Sequence, residues 1–219
     1  PSPGSGQAVY LQRDVTGVAL DAFEVWSRAW RAGGGKIFYD IDDDLLDTDG
    51  LKARTGWSDE KIQQVQLRVE RFATAADLIT VSTEPLASRF RGPGRQVVVT
   101  PNQLDDDLWM LGVERASSSR AESSQPIRIG YIGTPSHDQD LAIIAPTIRK
   151  LEARFGHQIK VEVVGAYRGK EPQFGQILDH GSANEYPNFV RWLLASVDWD
   201  IGLIPLRQDP FNQSKSDLK

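Results

Sequence analysis

Lys36-Ile-Phe-Tyr-Asp-Ile-Asp-Asp-Asp-Leu-Leu-Asp47 places a compact apolar run directly ahead of a string of carboxylates. Residues 36–39, KIFY, have the unbroken apolar character of a strand covered on both faces, and such strands belong to parallel sheets under helices. The surroundings repeat the pattern. Upstream, Val9-Tyr-Leu11 predicts a strand, and Val18, Ala22, Val25, Trp26 and Ala29 fall on one face of a helix that Gly33-Gly-Gly35 ends. Downstream, Ser58 predicts an N-cap and Asp59 and Glu60 suit the first turn. Ile62, Val65, Val69, Phe72 and Ala76 then line the inner face of that helix. Leu78-Ile-Thr-Val81 reads as a strand, Pro85 to Phe90 as a short helix and Gln96-Val-Val-Val-Thr100 as another strand.

The rhythm breaks at residues 112–126, GVERASSSRAESSQP, whose Ser, Ala and alternating charges predict an exposed connection. It then restarts. Arg128-Ile-Gly-Tyr-Ile132 predicts a strand. A helix is expected from about Asp138 to Phe155, with Leu141, Ile144, Ala145, Ile148, Leu151 and Phe155 inward and a kink or break at Pro146. Lys160-Val-Glu-Val-Val164 is a strand closed by Gly165, Pro187 opens a helix, and Asp200-Ile-Gly-Leu-Ile-Pro205 reads as a last buried strand. The expected architecture is α/β, with two parallel-sheet lobes: residues 1–111, a linker at 112–126, and residues 127–219. Both ends read as cut, so each lobe is expected to be incomplete.

Bulk composition narrows the classes. Hydrophobic residues at 40% and charged residues at 25% describe an ordinary globular chain of 219 residues. A net charge of −5 argues against a nucleic-acid partner. No apolar run in these residues approaches a membrane span, and peripheral membrane contact stays open for the parent protein. With no cysteine, thiolate metal sites and disulfides are excluded, and a cytoplasmic location fits. Pro1-Ser-Pro-Gly-Ser-Gly6 has neither the basic start nor the apolar core of a signal peptide.

Three stretches carry chemistry. The carboxylates after KIFY would face the ligand crevice at the carboxyl end of a strand. Asp40 and Asp42 could serve in three ways. They could be a solvated capping loop, or the nucleophile and acid/base of a magnesium-dependent haloacid-dehalogenase-type phosphohydrolase, with Val81-Ser-Thr83 as its second motif. Or they could be a patch that orients sugar hydroxyls. Gly130-Tyr-Ile-Gly-Thr-Pro-Ser-His-Asp-Gln-Asp140 runs from a strand through a turn into a helix start, where free amides favour an anion. Ser136 and Gln139 have capping-box spacing. Gly133 and Thr134 would border a phosphate and His137 could donate to it, although a plain turn with a solvated histidine fits the same letters. Residues 205–219, PLRQDPFNQSKSDLK, bring Arg207, Lys215 and Lys219 toward a helix start, either as a diphosphate clamp or as ordinary surface cations.

Taken in order, YDIDDDLLD at 39–47, LITVST at 78–83, VVVTPNQLDDDLW at 97–109, IRIGYIGTPSHDQDL at 127–141 and DIGLIPLRQDPFNQSKSDLK at 200–219 resemble family-4-type glycosyltransferases of the GT-B fold, in particular bacterial polysaccharide enzymes. The resemblance implies two Rossmann-like lobes facing a cleft. It also implies a nucleotide-sugar donor held mainly by the C-terminal lobe, and retaining transfer to a saccharide or other hydroxyl acceptor, with no cofactor and no obligatory metal. It assigns Gly133, Thr134 and His137 with Arg207, Lys215 and Lys219 to the donor diphosphate, and puts Asp40 and Asp42 near the catalytic position where relatives keep a histidine. Relatives carry a pair of glutamates around the last loop, and residues 206–219 contain none. A non-catalytic nucleotide- or glycan-binding module on the same fold is the remaining alternative. The fragment by itself is expected to be inactive.

Overall fold

The computed structural model describes residues 6–15, 17–110, 125–166, 172–181 and 185–216; the expected linker lies outside them except for Gln125 and Pro126. These residues form two compact units. One comprises residues up to Gln103 together with 208–216, and the other runs from Leu104 to Arg207. The 127–219 lobe of the sequence reading thus contributes its last described segment to the first unit.

The first unit contains β1 (Ala8–Gln12), α1 (Leu20–Ala32), β2 (Lys36–Ile41), α2 (Thr48–Thr55), α3 (Asp59–Ala75), β3 (Leu78–Val81), α4 (Glu84–Phe90) and β4 (Val97–Val99). Its sheet has the order β1-β2-β3-β4 and every pairing is parallel. Ser58 caps α3 by accepting from the Lys61 amide, and Ile62, Val65, Val69 and Phe72 are buried as their spacing requires. Helix α1 differs from expectation. Val25 is 64% exposed, whereas Phe23, Ser27 and Trp30 are the buried residues. Aromatic fit sets the face: Phe23 meets Phe72 edge-on with centroids 4.7 Å apart, and the Trp30 indole donates to the Lys36 carbonyl at 3.1 Å.

The second unit contains α5 (Asp106–Trp109), β5 (Ile127–Gly133), α6 (Asp138–Phe155), β6 (Ile159–Gly165), β7 (Gln176–Leu178), α7 (Tyr186–Ser196) and β8 (Ile201–Gly202). Its sheet order is β7-β6-β5-β8, again all parallel. Helix α6 runs unbroken through Pro146 rather than splitting. Pro146 and Ala142, one turn earlier, are both exposed, so water can replace the amide that proline lacks. Strand β8 is a two-residue edge strand with Ile201 and Ile204 exposed, where a longer buried strand was expected. Strand β7 had no clear sequence signal. Among the described residues no helix is long and apolar enough to cross a membrane.

The packing of α1 sets a test. Phe23→Ala should cost about 3–5 kcal/mol in urea denaturation, as aromatic truncation in a core does. Val25→Ala should stay within about 0.5 kcal/mol. Equal costs would mean that α1 presents its other face to the sheet.

Candidate functional site

Chemistry gathers where the strands end. In the first unit, Arg13 follows β1 in a left-handed conformation, φ +54°, which costs a non-glycine residue energy unless its surroundings hold it there. They do: its amide donates to the Asp40 carbonyl at 2.9 Å, and the Tyr39 hydroxyl donates to its carbonyl at 2.9 Å. Its guanidinium then reaches Asp42 at 3.0 Å and Asp43 at 2.9 Å. The other oxygen of Asp43 accepts from Lys215 at 3.1 Å. Burial alone would raise the Asp43 pKa, but Lys215 and then Arg13 outweigh it and hold the carboxyl below the ordinary carboxylate range. Neighbouring Asp44 shifts upward, because its burial outweighs Arg89 at 3.1 Å and the Leu46 amide at 3.2 Å.

Asp40 is engaged separately. It lies within β2, level with Gln12 and Thr80 on the neighbouring strands. Its carboxylate accepts from the Thr80 hydroxyl at 2.6 Å and from Gln12 at 3.5 Å. A phosphohydrolase would need Asp40 and Asp42 around one magnesium ion, yet the cation beside Asp42 is Arg13. The proposed second motif is structural in these contacts. Thr83 caps α4 and donates to the Ser214 carbonyl at 2.8 Å, and Ser82 donates to the Asp42 carbonyl at 3.2 Å. Among the described residues no group of three or more His, Asp or Glu side chains could hold a metal ion.

Residues 208–216 do not form the open polar loop that their letters suggest. Phe211, Asn212 and Ser214 are buried. Asp209 caps the one-turn helix Pro210–Gln213 and accepts two hydrogen bonds from Arg54, at 3.1 and 2.9 Å, while the Arg54 guanidinium lies 4.4 Å from the Phe211 ring centroid. This anchor delivers Lys215 to Asp43. Lys219 lies outside the described residues.

In the second unit, β5 ends at Gly133, and Pro135–His137 form a single 3₁₀ turn before α6 begins at Asp138. The turn displaces the expected capping box: neither Thr134 nor His137 makes a side-chain cap, and Thr134 instead shares a 2.6 Å hydrogen bond with Ser136. His137 is buried, not solvated, with Nδ1 2.8 Å from Asp140 Oδ2. A carboxylate only accepts, so the ring proton belongs on Nδ1. The other Asp140 oxygen accepts from the Arg207 amide at 3.0 Å, with Arg207 Nε 3.6 Å away. Asp140, missed by the sequence reading, thus joins His137 and Arg207 at the carboxyl end of β5. Gly133 lies beside Gly165, which has φ +69° and no room for a Cβ against the Gly133 carbonyl. Ala166 follows, buried and also left-handed at φ +70°.

Gly130 answers to packing rather than to a ligand. The Trp199 ring fills the space that a side chain there would need. Trp199 also donates to fully buried Glu162 at 3.0 Å, which takes two more bonds from Arg128, at 3.1 and 2.8 Å, and pairs with Lys160 at 2.6 Å. Burial opposes ionisation of Glu162, but Lys160, Arg128 and Trp199 together keep its pKa low.

No protein-family model matches the sequence, and no curated protein matches it significantly. Solved structures do. The α,α-trehalose-phosphate synthase (UDP-forming) of Burkholderia vietnamiensis aligns over 95% of this chain and 54% of its own, with a TM-score of 0.53 and 11% identity. The α,α-trehalose 6-phosphate synthase of Burkholderia multivorans aligns over 96% and 55%, with a TM-score of 0.53 and 12% identity. At such identity the likeness establishes fold: α/β, with Rossmann-like parallel sheets of the GT-B kind, as the sequence predicted. The chain spans about half the length of these structures.

The Asp43 bridge has a signed pH dependence. Its folded pKa lies below the unfolded value, so its stabilisation is present at neutral pH and is lost as pH falls through the depressed value. Urea denaturation of Asp43→Asn should show its largest deficit against wild type at pH 7, narrowing below about pH 4, near the unfolded aspartate pKa. A deficit independent of pH would show that charge is not what Asp43 contributes.

Proposed function

We propose that this chain is part of a glycosyltransferase that uses a nucleotide-sugar donor, and that its second unit binds the donor diphosphate. The observation that carries the proposal is the cluster of His137, Asp140 and Arg207 at the carboxyl end of β5. Parallel sheets bind ligands beyond the carboxyl ends of their strands, and here a helix start, a glycine-lined turn and an arginine lie together. The likeness of fold to a UDP-forming synthase supports the same reading.

The chemistry follows from charge. Transfer breaks the bond between the sugar's anomeric carbon and the diphosphate and forms one to an acceptor hydroxyl, so negative charge grows on the leaving phosphate. Fixed donors aimed at that charge lower the barrier more than groups that must reorganise. Amides near Gly133 and Thr134 and the Arg207 guanidinium supply such donors, in place of an obligatory metal. His137 acts from behind: its bond to Asp140 fixes the carboxylate that also holds the Arg207 backbone. The resemblance assigns Lys215 and Lys219 to the donor phosphates and puts Asp40 and Asp42 near the catalytic position where relatives keep a histidine. The proposed transfer is hexosyl and retaining, in polysaccharide or glycoconjugate synthesis in the cytoplasm, and turnover is proposed for the parent protein.

Titration calorimetry with UDP and GDP tests the site. Arg207→Ala should weaken nucleoside diphosphate binding by about 1.5–3 kcal/mol, the cost of a charge-assisted hydrogen bond. Asp140→Asn should weaken it through loss of the anchor. Unchanged affinity in both folded variants would contradict the proposal.

A further inference from the structure

A second polar site lies in the first unit, beside the strand-end cluster that it meets at Arg89. Leu46, Thr48, Gln66, Glu70, Ser88 and Arg89, from α2, α3, α4 and the turn before α2, line a concavity of about 480 Å³. That volume falls within the span of small-molecule sites, about 300–1,000 Å³. Its walls differ from the apolar walls typical of such sites, since five of the six residues are polar.

The groups are pre-set. Gln66 donates both amide protons, one to the Leu46 carbonyl and one to the Thr48 hydroxyl, each at 3.0 Å. Its orientation is thereby fixed, and its carbonyl oxygen is left to accept. Arg89 is anchored through Nε to buried Asp44 at 3.1 Å. Among the described residues, no hydrogen bond or ion pair engages the terminal nitrogens of Arg89 or the carboxylate of Glu70. The concavity therefore offers a fixed amide acceptor, a carboxylate acceptor, a forked donor and two hydroxyls. Thr48 accepts from Gln66 and is left to donate, and Ser88 donates to the Glu84 carbonyl at 3.1 Å and is left to accept.

Charge selects the ligand class. Asp44 neutralises Arg89, so Glu70 leaves the concavity with a net negative charge, which opposes phosphate and other anions. A polyhydroxylated neutral ligand satisfies every group, because each hydroxyl both donates and accepts. We infer that the concavity between α2, α3 and α4 binds a saccharide. The inference does not rest on the glycosyltransferase proposal, since it shares no residue with the cluster of His137, Asp140 and Arg207.

The test is calorimetry, with saturation-transfer-difference NMR, on the 219-residue chain. Titrants are the methyl glycosides of glucose, galactose and mannose, with inorganic phosphate as the anionic comparison. At least one glycoside should bind saturably, and equally well in saturating UDP. Glu70→Ala, on an exposed side chain, should weaken it at least tenfold. Arg89→Lys should weaken it severalfold while keeping a cation for Asp44, and Glu24→Ala on α1 should change nothing. The inference fails if no glycoside saturates, if Glu70→Ala leaves the affinity of the folded protein unchanged, or if phosphate binds and the glycosides do not.

Discussion

Because every pairing in both sheets is parallel, all strands of a unit end at one edge, and the loops leaving that edge lie side by side. The apolar strands supply rigidity, and the few residues past their ends supply chemistry. In the first unit that edge collects Arg13, Asp42, Asp43 and Thr83, and in the second Gly133, His137 and Ala166. The two left-handed non-glycine residues among those described, Arg13 and Ala166, each follow a strand directly. Strain of that kind persists only where neighbouring bonds over-determine the backbone, as Tyr39 and Asp40 do for Arg13.

Both units also hold charges that would be costly if left alone. An isolated buried carboxylate destabilises a fold by several kcal/mol, whereas one with matched donors comes close to neutral. Asp43 has Arg13 and Lys215, Asp44 has Arg89, Asp140 has His137 and the Arg207 amide, and Glu162 has three cationic or indole partners. Two ion pairs of the first unit join segments far apart in sequence. Asp43 and Lys215 are 172 positions apart, and Arg54 and Asp209 are 155 apart. These pairs attach the segment at 208–216 to the first unit, with Phe211 buried in its core.

What the sequence disclosed and what it hid follow from the range of the interactions. KIFY, LITV and RIGYI announce strands because a strand buried on both faces is apolar throughout, and Ser58 announces a helix because capping is local. The fold class came from such segments. The face of α1 was misread because aromatic fit against Phe72 outweighed aliphatic periodicity. The burial around Phe211 is illegible in the polar letters of 205–219 because Arg54, which anchors it, is 155 positions away from Asp209. In the sequence Asp140 is one of two acids in the first turn of α6. Only the arrival of Arg207 from beyond β8 shows it to be a hub, and no local pattern encodes that meeting.

The carboxyl edge of the β5–β6 sheet is the proposed seat of a nucleoside diphosphate. Backbone amide NMR of the chain titrated with UDP, and with uridine as the control lacking phosphate, addresses it most directly. UDP, and not uridine, should shift the amides of Gly133, Thr134 and Arg207 far more than those of Gly156 and Gln158 at the opposite edge. Shifts concentrated at Gly156 and Gln158, or equal for UDP and uridine, would contradict it.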